Sequence, residues 1–288
     1  MKTIKNVTVI GAGVMGRQIA LNAAVHGFIV HLADTFPEAC EKAAKWAEEY
    51  LAKSVAKGKS TQEDADNALN RMHYSENPSE AVANCDLLIE SIIEDEAIKH
   101  ELFKSISAAL PEDTIVTTNS SFIPSSSFAK DIGSPSRLCN LHYFNPAMLM
   151  KLVEIVKGEH TAAETVQALV AFVKAIEKES IVVNKEVDGF VVNRLIKALQ
   201  NEAFFLFENG IASIEDIDIG AEKGLNFPLG PFRLLDLAGI DICYLNRQRI
   251  YEQTGRPEDK PPAFIEEKYK KGEFGRKTGK GWYDYSIK

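Results

Sequence analysis

The chain has 288 residues, is 45% hydrophobic and 26% charged, and carries a formal net charge of -8. That is the composition of ordinary globular domains, and an acidic balance without a basic stripe excludes phosphate backbones as a generic partner, so no nucleic-acid binding is expected. The four cysteines, Cys40, Cys85, Cys139 and Cys243, show neither CxxC nor metal-ligand spacing, residues 1–10 lack a signal-peptide core, and no run reaches the ~18 apolar residues of a membrane span; a soluble, cytoplasmic protein with no metal site is expected.

In chain order, short β-branched runs alternate with helical patterns through the first half, as in a parallel sheet covered by crossover helices. Strands are expected at residues 6–10, 28–34, 86–92, 114–119, 137–144, 152–156 and 180–184. The segment from Pro37 to Lys59, rich in Ala, Glu and Lys, reads as a long helix. Beyond about residue 186 the pattern changes: GFVVNRLIKALQNEAFFLFENG is apolar at helical spacing and ends at Gly210, a C-cap residue. Further helices are expected over 213–223 and 231–253, followed by a Gly- and Lys-rich tail that docks its aromatic end. The expected architecture is α/β: a doubly wound Rossmann-type sheet over residues 1–186 and a smaller all-helical domain over 187–288. No internal repeat is visible.

The segment VTVIGAGVMGRQIALNAAVHGFIVHLAD combines a strand, Gly11, Gly13 and Gly16 in GxGxxG spacing, a helix, a second strand and Asp34 at its end. Gly11 permits the tight turn, Gly13 lets a pyrophosphate approach the backbone, and Gly16 allows close helix packing. The helix N-terminus adds N–H donors and partial positive charge. Asp34 suits the adenosine ribose hydroxyls and repels a 2'-phosphate, and no Arg follows it in DTFPEA. NAD is therefore expected in preference to NADP.

A redox cofactor needs a group to handle the substrate proton. The apolar run NLHYFNPAMLMKLVEIV keeps one histidine, His142, and one carboxylate, Glu154. An imidazole can take a hydroxyl proton and return it, and a paired carboxylate fixes its tautomer. By pattern alone, a packed or surface histidine is the commoner explanation.

Read together, VIGAGVMG, NSS at 119–121, HYFNPAMLMKLVEIV, DGFVVNR, FPLGPFRLLDLAGID and GRKTGKGWYDY resemble the 3-hydroxyacyl-CoA dehydrogenase family, particularly its bacterial 3-hydroxybutyryl-CoA members. The resemblance runs in order from about residue 4 to the C-terminus. It implies His142 as general base and Glu154 as its partner, with Ser121 and Asn193 hydrogen-bonding the reacting oxygen or the dyad. Glu94 and Lys99 match positions near the nicotinamide ribose and the cofactor side; an exposed helix start explains them equally well. Lys53 and Lys57, one helical turn apart, are candidates for a CoA phosphate or simply a solvated basic face. The implied partner is an acyl-CoA, and the implied assembly is a homodimer through the helical domain, for which FFLF (204–207) and LLDLAGIDICYL (234–245) offer apolar surface or intrachain core. Three places depart from the family pattern: TTNSSF for SNTSS, Met148 for a proline, and Asp188 for another proline. They leave chain-length preference open. The alternatives are a related dehydrogenase of a non-CoA hydroxy acid such as gulonate, and a non-catalytic NAD-binding protein. Asn193 stands where β-hydroxyacid dehydrogenases carry a catalytic lysine, which argues against their mechanism.

Overall fold

The β-branched runs of the first half form eight strands, β1 (Asn6–Ile10), β2 (Ile29–Ala33), β3 (Met72–Ser75), β4 (Leu87–Glu90), β5 (Ile115–Thr118), β6 (Leu138–Tyr143), β7 (Leu152–Val156) and β8 (Glu179–Val183). In this computed structural model, which describes residues 2–286, they build one sheet in the order β3-β2-β1-β4-β5-β6-β7-β8. Every pairing is parallel except β6 with β7, which is antiparallel. The first six strands follow the 3-2-1-4-5-6 order of dinucleotide-binding sheets, whose chain reverses direction across the sheet between β1 and β4.

Parallel strands are buried on both faces, so they read as near-continuous apolar runs. In β4 and β6 every residue is buried. One face packs Val7, Val9, Val30, Leu32, Leu141 and Ile155 with residues of α1 (Val14–Val25) and α6 (Ala163–Ala175), and the other packs Ile10, Leu88, Val116 and Leu138 with Phe103, Ile106 and Phe128. The remaining helices of this part are α2 (Pro37–Ala56), α3 (Gln62–Asn70), α4 (Pro78–Ala81) and α5 (Glu96–Ile106). Strand β3 was not among the expected strands. It is a four-residue edge strand with one buried residue, Met72, too little apolar pattern to be visible. Helix α2 stops short of Lys59, since Lys57 forms the C-cap and Gly58 takes a left-handed φ of +65°.

The chain divides by contacts into two units, Met1–Val191 and Val192–Lys288. The division falls after Val191, five residues beyond the pattern change at 186, because Phe190 sits in the first unit's core with Val156 and Val183. The second unit comprises α7 (Val192–Glu208), α8 (Ile214–Ile219), α9 (Pro231–Ala238), α10 (Ile240–Thr254) and α11 (Ala263–Lys270). The helix expected over 231–253 is two helices. Gly239, at φ +110°, breaks it, a conformation that a side chain would strain. The expected 213–223 helix is α8 followed by a π-type turn over Gly220–Gly224. The core of this unit gathers Phe204, Phe207, Phe232, Phe264 and Trp282 edge to face. The tail is fastened by Asp236, whose carboxylate accepts the N–H groups of Trp282 (2.9 Å) and Tyr283 (3.0 Å). Among the described residues no helix is long and apolar enough to cross a membrane.

Candidate active site

Ligands of such sheets bind outside the carboxyl ends of the strands, at the point where the strand order reverses. The connections after β1, β2 and β4 meet there. After β1, Gly11 adopts φ +106°, and a Cβ on it would lie 2.4 Å from the Ser91 carbonyl oxygen that follows β4. A Cβ on Gly16 would lie 1.7 Å from the Gly11 oxygen, so α1 can start this close to β1 only without one. Gly13 is different, since a Cβ there would meet nothing within 4 Å. It opens onto free space at the N-terminus of α1, which has no side-chain cap and no acid in its first turn. Unpaired N–H donors facing space are what a pyrophosphate requires. Asp34 is held by the N–H groups of Ala12 (2.8 Å) and Phe36 (3.0 Å), each taking one lone pair of a different oxygen and leaving others for ribose hydroxyls. Next to it, Pro37, Cys40, Tyr74 and Ser75 line a concavity.

His142 and Glu154 stand opposite each other in the β6–β7 register. Facing residues of an antiparallel pair project to the same side, so twelve positions of chain separation collapse to a 2.8 Å contact between His142 Nδ1 and Glu154 Oε2. Glu154 is 0% exposed and His142 4%. An ionised carboxylate only accepts, so Nδ1 carries the proton, and in the neutral ring Nε2 then keeps a lone pair. Ser121 Oγ lies 2.9 Å from Nε2. Phe144 and Phe190 meet the imidazole edge-on, with centroids 4.7 and 5.6 Å away. The other Glu154 oxygen, Oε1, accepts the Val191 N–H at 3.1 Å.

Ser121 is placed by a carboxylate network that sequence reasoning saw only in part. Glu94 Oε1 accepts the N–H groups of Ser121 (3.1 Å) and Phe122 (3.3 Å) and the Ser120 hydroxyl (2.5 Å). Lys99 holds it in turn. Its Nζ lies 3.4 Å from Glu94 Oε2 and 2.5 Å from Oε1 of Glu90. Lys99 is 1% exposed, so it is not an exposed helix residue; its ammonium sits inside an ion-pair cluster. Glu90 was not singled out by sequence reasoning, nor were Asn119 and Asn140. Asn119 accepts the Tyr143 N–H (2.9 Å), and Asn140 accepts the Ser125 N–H (2.7 Å) and donates to the Ile123 carbonyl (3.0 Å). The available signal for Glu90 was a carboxylate ending the all-apolar run LLI, a costly place for an unpaired charge.

Lys53 and Lys57 are exposed at the C-terminal end of α2. Asn193 lies in the first turn of α7, partly exposed, in the second unit. Met148, one departure from the family pattern, packs with Leu21, Trp46, Tyr50 and Leu51, and Asp188 is exposed.

The hairpin between the dyad strands is tied down by Lys178, whose Nζ donates to the carbonyls of Ala147 and Met150, both at 2.7 Å. Burial, aided by the nearby Lys151, lowers its pKa to about 8. Because the unfolded chain then binds more protons between about pH 8 and the ordinary lysine value of 10.5, this residue's contribution to stability rises with pH across that window and is flat below it. Wild type should therefore gain unfolding free energy relative to Lys178→Met between pH 8 and 10, measured by urea denaturation; a constant or narrowing gap contradicts this.

Comparison with known proteins agrees with the geometry. Residues 6–187 match the model of the 3-hydroxyacyl-CoA dehydrogenase NAD binding domain, and residues 189–285 that of its C-terminal domain. The Bacillus subtilis (strain 168) protein named "Probable 3-hydroxybutyryl-CoA dehydrogenase" is 36% identical over 285 residues, covering 99% of both chains. Human mitochondrial hydroxyacyl-coenzyme A dehydrogenase is also 36% identical, over 98% of this chain and 91% of its own. The crystal structure of the (S)-3-hydroxybutyryl-CoA dehydrogenase of Ralstonia eutropha superposes with a TM-score of 0.88 at 34% identity, covering 98% of this chain and 99% of that one. Residues 6–187 are an NAD binding domain, and with two family models spanning nearly its whole length the chain belongs to the 3-hydroxyacyl-CoA dehydrogenase family.

Proposed function

We propose that the chain catalyses the reversible oxidation of an L-3-hydroxyacyl-CoA, short-chain like 3-hydroxybutyryl-CoA, to the 3-ketoacyl-CoA. The carrying observation is the buried chain of hydrogen bonds Ser121–His142–Glu154 at the carboxyl edge of the sheet. Gly11, Gly13, Gly16 and Asp34 would hold NAD, which would supply the hydride acceptor for C3. His142 Nε2 takes the hydroxyl proton, and Glu154 stabilises the imidazolium that forms and holds the proton-bearing Nδ1 in place. Ser121 orients the oxygen through its hydroxyl, and Asn193 is assigned the same task. Glu94, supported by Lys99, fixes the Ser121 backbone beside the cofactor site. Lys53 and Lys57 are assigned to phosphates of the CoA.

The reading is tested by NADH oxidation with acetoacetyl-CoA and longer 3-ketoacyl-CoAs. Turnover highest with the short substrate is expected; inertness toward all of them beside turnover of gulonate with NAD defeats it. In the same assay kcat/KM should be at least about tenfold lower with NADPH, because Asp34 faces the added 2'-phosphate with like charge. An equal or better value with NADPH contradicts the ribose role of Asp34.

A homodimer belongs to the same reading. Of the two apolar stretches, Phe204, Leu235 and Ile240 are buried in the second unit's own core, while Phe205, Leu237, Ile242 and Leu245 stay exposed, as does Leu195 upstream of them. So much apolar surface on three helices favours self-association. Light scattering should give about twice the mass of one chain, and a monomer at micromolar concentration counts against it. All four cysteines are free, in keeping with a reducing, cytoplasmic setting.

A further inference from the structure

We infer that Glu186 is a positioning residue for the reaction proposed above: it pins the 186–191 segment to the 119–126 loop, and so holds both walls of the His142–Glu154 pair. Its Oε1 accepts the Ser125 hydroxyl at 2.8 Å and the Ser126 N–H at 2.9 Å, across 61 and 60 residues of chain. The place is shaped for it. Ser125 is 0% exposed, its N–H is taken by Asn140, and His160 Nε2 lies 3.5 Å beyond its hydroxyl. A Cβ on Gly158 would fall 3.1 Å from Glu186 Oε1 and 2.3 Å from the His160 ring, so only glycine leaves room for both.

Each end of this pin touches the dyad. The 119–126 loop carries Ser121, hydrogen-bonded to His142 Nε2. The 186–191 segment ends with Phe190 packed against the imidazole and the Val191 N–H bonded to Glu154 Oε1. That segment is also strained. Gly189 has φ +71° and Phe190, which has a bulky side chain, has φ +49°. Left-handed backbone at such a residue is unfavourable and persists only where surrounding structure over-determines it. Here the restraints are the Phe190 N–H to Val187 carbonyl turn bond (3.1 Å), the burial of the ring, the Val191 amide bond to Glu154, and Glu186 at the upstream end. Releasing Glu186 lets the turn relax, which withdraws the amide that orients Glu154 and loosens the tautomer lock on His142.

The test compares the full-length wild type with Glu186→Ala, Glu186→Gln and Ser125→Ala. In acetoacetyl-CoA reduction Glu186→Ala should lower kcat by about 10- to 100-fold with KM for NADH changed much less, the loss expected of misplaced catalytic groups. Glu186→Gln keeps the acceptor oxygen and should restore kcat to within about threefold. Independently of substrate, nitrogen NMR of the imidazole should show His142 protonated at Nδ1 in wild type and in Glu186→Gln, and averaged between tautomers in Glu186→Ala. Ser125→Ala keeps the Ser126 bond and should show the same spectral change at smaller size, even where Glu186→Ala does not fold. An unchanged His142 spectrum in Ser125→Ala and in folded Glu186→Ala overturns the inference, as does equal loss in the Ala and Gln variants. A wild type inert toward acetoacetyl-CoA would instead defeat the proposed function, while the spectral arm still decides the role of Glu186.

Discussion

His142→Ala should lower kcat for acetoacetyl-CoA reduction by roughly 10²- to 10⁴-fold, the range for loss of a positioned acid–base group, while KM for NADH stays near the wild-type value. The imidazole is 4% exposed and locked between Glu154 at 2.8 Å and Ser121 at 2.9 Å. Its role strengthens as the proton moves, so the interaction is lost chiefly from the transition state. Glu154→Gln separates proton transfer from orientation. The amide can still accept from Nδ1–H through its oxygen, but it carries no charge to stabilise the imidazolium, and its NH₂ can instead select the other tautomer. Its kcat should fall nearly as far, and the double variant should be no worse than His142→Ala, because groups acting as one unit are not additive. Near-normal turnover of His142→Ala, with folding checked by circular dichroism, removes the dyad from the mechanism.

Lys99→Met should cost about 3–5 kcal/mol of stability by urea denaturation. The ammonium is the counter-ion of Glu90, which is 0% exposed, and removing one partner of a buried pair leaves an uncompensated charge. Glu90 would retain the Ile92 N–H (2.7 Å) and the Thr118 hydroxyl (2.5 Å), but hydrogen bonds alone replace only part of an ion pair. Against total stabilities of about 5–15 kcal/mol this is a large fraction. Adding Glu90→Gln to Lys99→Met should return part of the loss, since the remaining partner no longer carries charge. A cost below about 1 kcal/mol for Lys99→Met, or no recovery in the double variant, contradicts the assignment.

What could be read from the chain alone was whatever is encoded within a few residues or in an ordered set of local words. The GxGxxG turn is of this kind: the left-handed φ of Gly11 and the contact of Gly16 with the Gly11 oxygen are obeyed within six positions. β-branched and apolar runs marked seven of the eight strands, including β8, whose SIVV is β-branched although only Val183 is buried; β3, MHYS, has one buried residue and no β-branched run, and left no mark. His142 and Glu154 stood out as polar interruptions of an apolar run and suggested a pair, yet residue pattern by itself favoured a packed or surface histidine, and family resemblance tipped the reading to the pair. Their contact depends on the one antiparallel pairing of the sheet and on its register, since a slip of one residue would turn the two side chains to opposite faces.

Tertiary structure alone decided which charges share a site. Glu90 meets Thr118 across 28 positions and Glu186 meets Ser125 across 61; the apolar run before Glu90 marks it as a costly charge without naming its partners, and nothing local distinguishes Glu186 from other acids in the chain. Lys99 could be read equally as a cofactor-side residue or as part of an exposed helix start; it is buried, because the end of β4 carries a carboxylate that needs it. The break at Gly239 was equally hidden, since an apolar helical spacing on both sides outweighs one glycine until the backbone commits it to φ +110°. Propensity and periodicity are short-range quantities, whereas pairing, register and counter-charge are set only when the strands and their connections close on one another.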